Sequence, residues 1–182
     1  MKQPAIFLDR DGTLIEEVNF LSRVEDLRLF EFSASAIGAL KDAGFLVIVV
    51  TNQSGIGRGI FTESAMHEIH DQIQTELSGA IDAFYFCPHL PDEGCRCRKP
   101  GLGMIESAQD QFEIDLERSW MVGDKAIDIA TGVRGNMRTA MVLTGYGTEH
   151  QAALEVQPTI ITDHFGRAAE EIVQKTKIDP LH

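Results

Sequence analysis

Short apolar runs, each closed by a polar turn, recur along the chain at Ala5 to Leu8, Phe45 to Val50, Ala83 to Phe86, Trp120 to Val122 and Ala140 to Leu143. Runs this short, without polar alternation, fit strands covered on both faces, as in a parallel sheet. Helical spacing fills the intervals. The segment opening at Ser33 carries Ile37 and Leu40 among alanines and stops at Gly44, giving it a candidate N-cap and a C-terminal glycine. From Thr62 onward, Met66, Ile69, His70, Ile73 and Leu77 fall three and four apart and predict one buried stripe. Further helices are predicted over 102–112, 126–133 and 166–175. Strand and helix in alternation define an α/β chain, a Rossmann-like parallel sheet flanked by helices. Residues 12–32 keep neither period and read as a short hairpin or flap over the sheet end, with Phe20, Leu21 and Leu27 packed beneath it. The intervals from Asp9 to Thr51 and from Thr51 to Lys99 hold a hairpin, a helix and a loop but no inserted cap domain. With no repeat, low-complexity tract or linker, one domain spanning 1–182 is expected.

Bulk properties narrow the class. At 182 residues and 43% apolar, the chain can bury a sizeable core. No apolar stretch approaches bilayer length, and Met1-Lys2-Gln3-Pro4 runs straight into a strand, so a cytoplasmic protein with no membrane partner is expected. A formal net charge of -12 argues against nucleic-acid binding through a general electrostatic footprint, which needs a basic face. Any phosphate must be held by a few local cations. A monomer is expected.

Four polar clusters stand at strand ends. Asp9-Arg10-Asp11-Gly12-Thr13 follows the first run and presents two carboxylates two residues apart, which face the same way on extended backbone. Thr51-Asn52-Gln53-Ser54-Gly55 follows the second and offers hydroxyl, amide and backbone donors to an anion. Arg98-Lys99-Pro100 brings cations, with Pro100 suited to a first helical position. Gly123-Asp124-Lys125-Ala126-Ile127-Asp128 sets two acids four apart at a strand-to-helix junction, where both can face one metal. Singly, each has an ordinary reading as turn, N-cap or surface. Their joint order is the signal.

That order resembles the haloacid dehalogenase superfamily of phosphohydrolases, in its small, capless form. The likeness spans residues 5 to 147, with Asp9-x-Asp11-Gly-Thr, Thr51, Lys99, and Gly123-Asp124 with Asp128 as its four motifs. It implies Asp9 as nucleophile, forming an aspartyl phosphate, and Asp11 as the acid and base. It implies Mg²⁺ on Asp9, the Asp11 carbonyl and Asp124, with Asp128 behind them. Thr51 and Lys99 would stabilise the phosphoryl oxygens. Crowding of Asp9 and Asp11 should raise the pKa of one of the two.

All three cysteines lie in Cys87-Pro88-His89-Leu90-Pro91-Asp92-Glu93-Gly94-Cys95-Arg96-Cys97. Cys87, His89, Cys95 and Cys97 make a complete tetrahedral set for a structural Zn²⁺ with no open position for catalysis. A Cys-x-Cys disulfide would be strained. The loop ends just before Arg98 and would stiffen the backbone carrying the two cations. His67 and His70 lack the spacing of a metalloprotease pair, and His70 reads as a satisfied residue of the apolar stripe. Within the superfamily, a zinc loop running into Cys-Arg-Lys-Pro resembles two subfamilies, phosphatases of a heptose 1,7-bisphosphate and phosphatases of histidinol phosphate. Thr51 to Gly59, Lys99 to Met104 and Leu143 to Gly147 resemble the first, which implies removal of the 7-phosphate of a phosphorylated sugar on the way to lipopolysaccharide heptose. The likeness also implies substrate contacts at Glu17, Val18, Asn19, Phe20, Asn52, Gln53, Ser54, Arg98 and Lys125. The chain departs from the first subfamily at Glu16 to Phe20, where a glycine-tyrosine pair is usual. A non-catalytic, zinc-stabilised binding module and a nucleic-acid 3′-phosphatase are the rival readings; the intact acid set opposes one and the charge the other.

Overall fold

The computed structural model describes residues 2–178. Its six strands, β1 (Ala5–Leu8), β2 (Leu46–Asn52), β3 (Ala83–Cys87), β4 (Trp120–Gly123), β5 (Arg138–Val142) and β6 (Ile160–Thr162), form one all-parallel sheet in the order β3-β2-β1-β4-β5-β6. Ile6 pairs with Val47 on one side and with Trp120 on the other, so β1 is the central rail. The apolar runs are continuous because both faces are covered. Ile6, Leu8, Val47, Val49, Trp120 and Val122 enter one core with helices α1 (Ser33–Asp42) and α7 (Phe165–Ile178), while Ala5, Phe7, Ile48, Val50 and Met121 enter a second. That second core is closed by α4 (Gly103–Gln111).

Topology then dictates where a ligand can sit. The chain steps outward from β1 to β2 to β3 and crosses back to β4 on the other side of β1. Loops leaving β1 and β4 therefore diverge, opening a crevice beyond the carboxyl ends of the strands. All four polar clusters lie at that end.

Several expectations hold, and some are corrected. Thr62 caps α3 (Glu63–Glu76), accepting from the Ala65 N–H at 3.2 Å, and the stripe from Met66 to Ile73 is buried. Gly44 ends α1 with φ 88°. Ser33 is the first helical residue rather than a cap, because its hydroxyl is spent on the Leu14 carbonyl at 2.7 Å. Pro100 is not a first helical residue either: it follows Lys99 through a cis peptide and α4 begins three residues on. Strand β6 gives no sequence signal because its three residues are too few for a hydrophobic period. The short helices α2 (Ser54–Gly57) and α6 (Gly147–Gln151) lie in glycine-containing loop sequence. The flap forms around a bridge between Ile15 and Leu29, with Leu21 and Leu27 buried. Phe20 is corrected: at φ 56° its backbone is left-handed and its side chain is 36% exposed at the rim, not packed beneath. No helix among the described residues is long and apolar enough to cross a membrane.

Candidate active site

Leaving β1, the chain buries Asp9 and bends at Gly12, where φ is 82°. A Cβ at Gly12, or at Gly145 (φ 56°), would collide with Asp124 Oδ2. Glycine at both positions lets two loops close over the Asp124 carboxylate, which also accepts from the Tyr146 N–H at 2.8 Å. Asp124 Oδ1 is buried without a hydrogen-bond partner. At the start of α5 (Ala126–Arg134), Asp128 accepts from the Lys125 N–H at 3.0 Å through Oδ2.

Lys99 reaches into this acidic nest from the loop before α4. Its Nζ lies 2.8 Å from Asp9 Oδ1, 2.7 Å from Asp128 Oδ1 and 2.9 Å from the Val50 carbonyl, which uses all three donors. The Lys99 backbone is held in turn by Asn52, which accepts from its N–H at 3.0 Å and donates to its carbonyl at 3.3 Å. Asp9, Asp124 and Asp128 present oxygens within 4.8 Å of one another. Three buried carboxylates against one contacting ammonium leave negative charge uncompensated. Burial and the nearby Asp9 push Asp124 up to about 8, and burial also raises Asp128 in spite of Lys99. A divalent cation between Asp9 and the orphaned Asp124 oxygen fits this charge and donor set. Asp128 Oδ2 accepts from the Lys125 N–H and Oδ1 is ion-paired with Lys99, which suits a supporting place behind the ligands.

Asp11 follows another logic. Burial drives its carboxyl up, but the Arg10 guanidinium and hydrogen bonds from Arg10 and Gln53 outweigh that and hold it below the ordinary carboxylate range. At Asp11 itself, crowding with Asp9 therefore brings no rise: the cation inserted between the two aspartates in sequence decides the sign. Gln53 Nε2 donates to Asp11 Oδ2 at 2.9 Å and to Thr51 Oγ1 at 2.7 Å, leaving the Thr51 hydroxyl proton free for an incoming oxygen.

A cleft of about 250 Å³ opens above, lined by Glu17, Val18, Asn19, Phe20, Asn52, Gln53, Ser54, Arg98 and Lys125 together with Arg10, Asp11 and Tyr146. All nine residues inferred to contact substrate thus share one cavity. Lys125 sits 3.3 Å from Glu17 and 5.0 Å from the Tyr146 ring centroid; despite burial, the surrounding carboxylates hold it above the usual lysine range. A larger cavity of about 420 Å³ lies along α5 against Leu154 and Val156, with only Arg134 and Glu155 charged, and lacks the acidic nest. Two contributors were not read from the sequence. Arg10 occupies the variable position of its motif, and Tyr146 acts through its backbone and ring face, which no pattern announces.

Beside the cleft, Cys87, His89, Cys95 and Cys97 gather with Sγ and Nδ1 atoms 3.2 to 3.6 Å apart along the contacts they make. Such spacing suits one tetrahedral cation. Arg98 leaves this loop and donates to the His89 carbonyl at 3.2 Å, tying its guanidinium to the cluster.

Comparison with known proteins agrees with this arrangement. The HAD-hydrolase-like family model matches residues 96–168. A Yersinia pestis protein named D-glycero-beta-D-manno-heptose-1,7-bisphosphate 7-phosphatase is 39% identical over 153 residues, covering 78% of this chain and 81% of its own. A Thermosynechococcus vestitus protein named D-glycero-D-manno-heptose-1,7-bisphosphate 7-phosphatase is 37% identical and covers 94% of this chain and 96% of its own. The crystal structure of a D,D-heptose 1,7-bisphosphate phosphatase from B. bronchiseptica, complexed with magnesium and phosphate, superposes with a TM-score of 0.87 at 31% identity over 94% of this chain and 99% of that one. The chain belongs to the haloacid dehalogenase-like hydrolases. Within that family its similar proteins carry the names of heptose bisphosphate phosphatases.

Proposed function

We propose that this chain, acting as a single phosphatase domain, removes the 7-phosphate of D-glycero-D-manno-heptose 1,7-bisphosphate with Mg²⁺ as cofactor, leaving the 1-phosphate for activation toward lipopolysaccharide heptose. The observation that carries the reading is the buried Asp9–Lys99–Asp128 array opening into a cleft that also holds Arg98 and Lys125. Asp9 attacks phosphorus while the bond from phosphorus to the sugar oxygen breaks; Asp11, a carboxylate paired with Arg10 at rest, takes up a proton as the phosphate anion enters beside it, gives it to that oxygen and later takes one from the water that hydrolyses the aspartyl phosphate. Lys99 aims Asp9 and brings positive charge next to the phosphoryl group, and Thr51 donates its free hydroxyl proton to a phosphoryl oxygen. Mg²⁺ held by Asp9, Asp124 and the Asp11 carbonyl, with Asp128 in support, would supply the charge that lets an anionic nucleophile meet an anionic phosphate. Asn52 serves by clamping Lys99, while Glu17, Val18, Asn19, Phe20, Gln53 and Ser54 shape the sugar site. The protein works as a cytoplasmic monomer with no nucleic-acid or membrane partner.

Charge separates the two candidate substrates. A bisphosphate offers a second anion, and Arg98 stands in the cleft to meet it. Histidinol phosphate offers an ammonium and an imidazole and calls for free carboxylates, but Glu17 is already paired with Lys125 and Glu16 points to solvent. The expected result is a higher kcat/KM for the heptose bisphosphate, with Arg98→Ala weakening it by about tenfold or more and affecting a monophosphate far less. A preference for histidinol phosphate would sink the assignment.

We further propose that Cys87, His89, Cys95 and Cys97 hold one structural Zn²⁺. Its role is to stiffen the stretch that delivers Arg98 and Lys99. Metal analysis should find one zinc per chain that survives dialysis against a magnesium chelator. Stripping it should speed amide exchange over residues 87–99 and raise KM before the rest of the sheet loosens. Three freely titrating thiols in the native, metal-replete protein would refute the site.

A further inference from the structure

Arg10 stands between the two motif aspartates, yet its side chain turns into the protein and is 1% exposed. Arginine is seldom so deeply buried unless its donors are used. Nε donates to Asp11 Oδ2, and Nη2 to Asp11 Oδ1 and Gln53 Oε1, each at 3.0 Å. The remaining arm, Nη1, meets His70 Nε2 at 3.2 Å. A guanidinium only donates, so His70 Nε2 must be the bare nitrogen and Nδ1 the protonated one. Burial, with the charges of Arg10 and His67 added, keeps this imidazole neutral by lowering it to about 3.

The imidazole is itself held. It belongs to the buried stripe of α3, where an aliphatic residue would satisfy packing, and its ring stacks on Phe84 of β3 at 4.5 Å and 21°. A chain of contacts therefore runs from α3 and β3 through His70 to Arg10, and from Arg10 through two hydrogen bonds to both oxygens of Asp11. Without the His70 acceptor, the inner arm of the guanidinium faces a buried space with no partner. It must then turn, and Asp11 turns with it.

We propose that His70 is a positioning residue for the phosphatase reaction: through Arg10 it aims the Asp11 carboxyl group at the oxygen that leaves phosphorus. The proposal rests on the reading of Asp11 as proton donor. In that step the bond from Asp9 Oδ to phosphorus forms as the bond from phosphorus to the sugar oxygen breaks; the oxygen keeps the electron pair and takes the proton that Asp11, a carboxylate at rest, picks up from solvent as the phosphate anion enters beside it. Misplacing a proton donor by a fraction of an ångström slows this step and leaves substrate binding intact.

Leaving groups of different basicity supply the test. A sugar alkoxide needs the proton, whereas p-nitrophenolate departs without it. For both, kcat/KM reports only the steps through aspartyl-phosphate formation, so the later hydrolysis does not blur the comparison. With Mg²⁺-loaded, zinc-replete enzyme, His70→Leu should lower kcat/KM for heptose 1,7-bisphosphate by about tenfold or more and for p-nitrophenyl phosphate by less than about threefold. His70→Gln, whose Oε1 can stand where Nε2 stands, should recover most of the loss. Equal losses on both substrates, or a glutamine variant no better than leucine at matched thermal stability, overturn the proposal. Asp11→Asn is run alongside. If it too lowers both substrates equally, the Asp11 reading has failed and the proposal falls with it; if it shows the split and His70→Leu does not, only the role of His70 is refuted.

Discussion

Asp9→Asn is expected to abolish turnover, by at least about 10⁴-fold in kcat, while the protein stays folded. The amide keeps the size and shape of the carboxylate but cannot attack phosphorus and is a poor ligand for a hard cation. Stability should hold because the change removes one of three buried like charges. Lys99 keeps Asp128 at 2.7 Å and the Val50 carbonyl at 2.9 Å as partners. Phosphate release from the heptose bisphosphate under saturating Mg²⁺, with thermal unfolding measured in parallel, checks both halves. A variant that kept a tenth of the wild-type rate would rule out covalent catalysis at this residue.

The legible part of this fold was what buried strands and strand-end chemistry write into local sequence. Five strands are legible as short apolar runs, unbroken in β1, β2 and β4 because both faces are buried, while β3 at the sheet edge is only half-buried; the sixth is not legible because Ile160–Thr162 is too short to show any period. Cys87 to Cys97 was equally readable, since ligand type and spacing both lie within one loop. What was hidden depended on long-range geometry. Arg10 lies beside two acids in sequence, but its burial and its contact with His70 sixty residues away follow from how α3 crosses the sheet. Phe20 carries a large apolar side chain in the flap, so pattern alone buries it. A left-handed backbone at φ 56° turns it outward instead. The helical stripe marks His70 as a satisfied member, and only the assembled sheet shows that its partner is Arg10.

Lys99→Met should be nearly as damaging to activity as Asp9→Asn, and unlike it should also destabilise the fold. The side chain is 1% exposed and, among the described residues, its ammonium is the only cation touching Asp9 and Asp128, whose side chains are 5% and 0% exposed. Removing one partner of a buried ion pair strands the other charge, at a cost of about 3–5 kcal/mol. The loss has a pH signature. Asp128 already sits above its ordinary pKa through burial, and Lys99 is the largest influence pulling it down, so without Lys99 it rises further. An acid whose folded pKa exceeds its unfolded value binds more protons folded than unfolded between the two, and stability falls as pH climbs through that window. Lys99→Met should therefore be weakest at alkaline pH and recover part of its stability as pH falls toward 5. Adding Asp128→Asn should restore stability at pH 8 by removing the stranded charge, yet leave turnover lost because nothing then holds Asp9 in line or offsets the phosphoryl charge. Denaturant unfolding at pH 5 and pH 8 for wild type, single and double variants decides the point: a stability deficit independent of pH, or a double variant no more stable than Lys99→Met, would show that Lys99 supports the fold by packing rather than by pairing with these carboxylates.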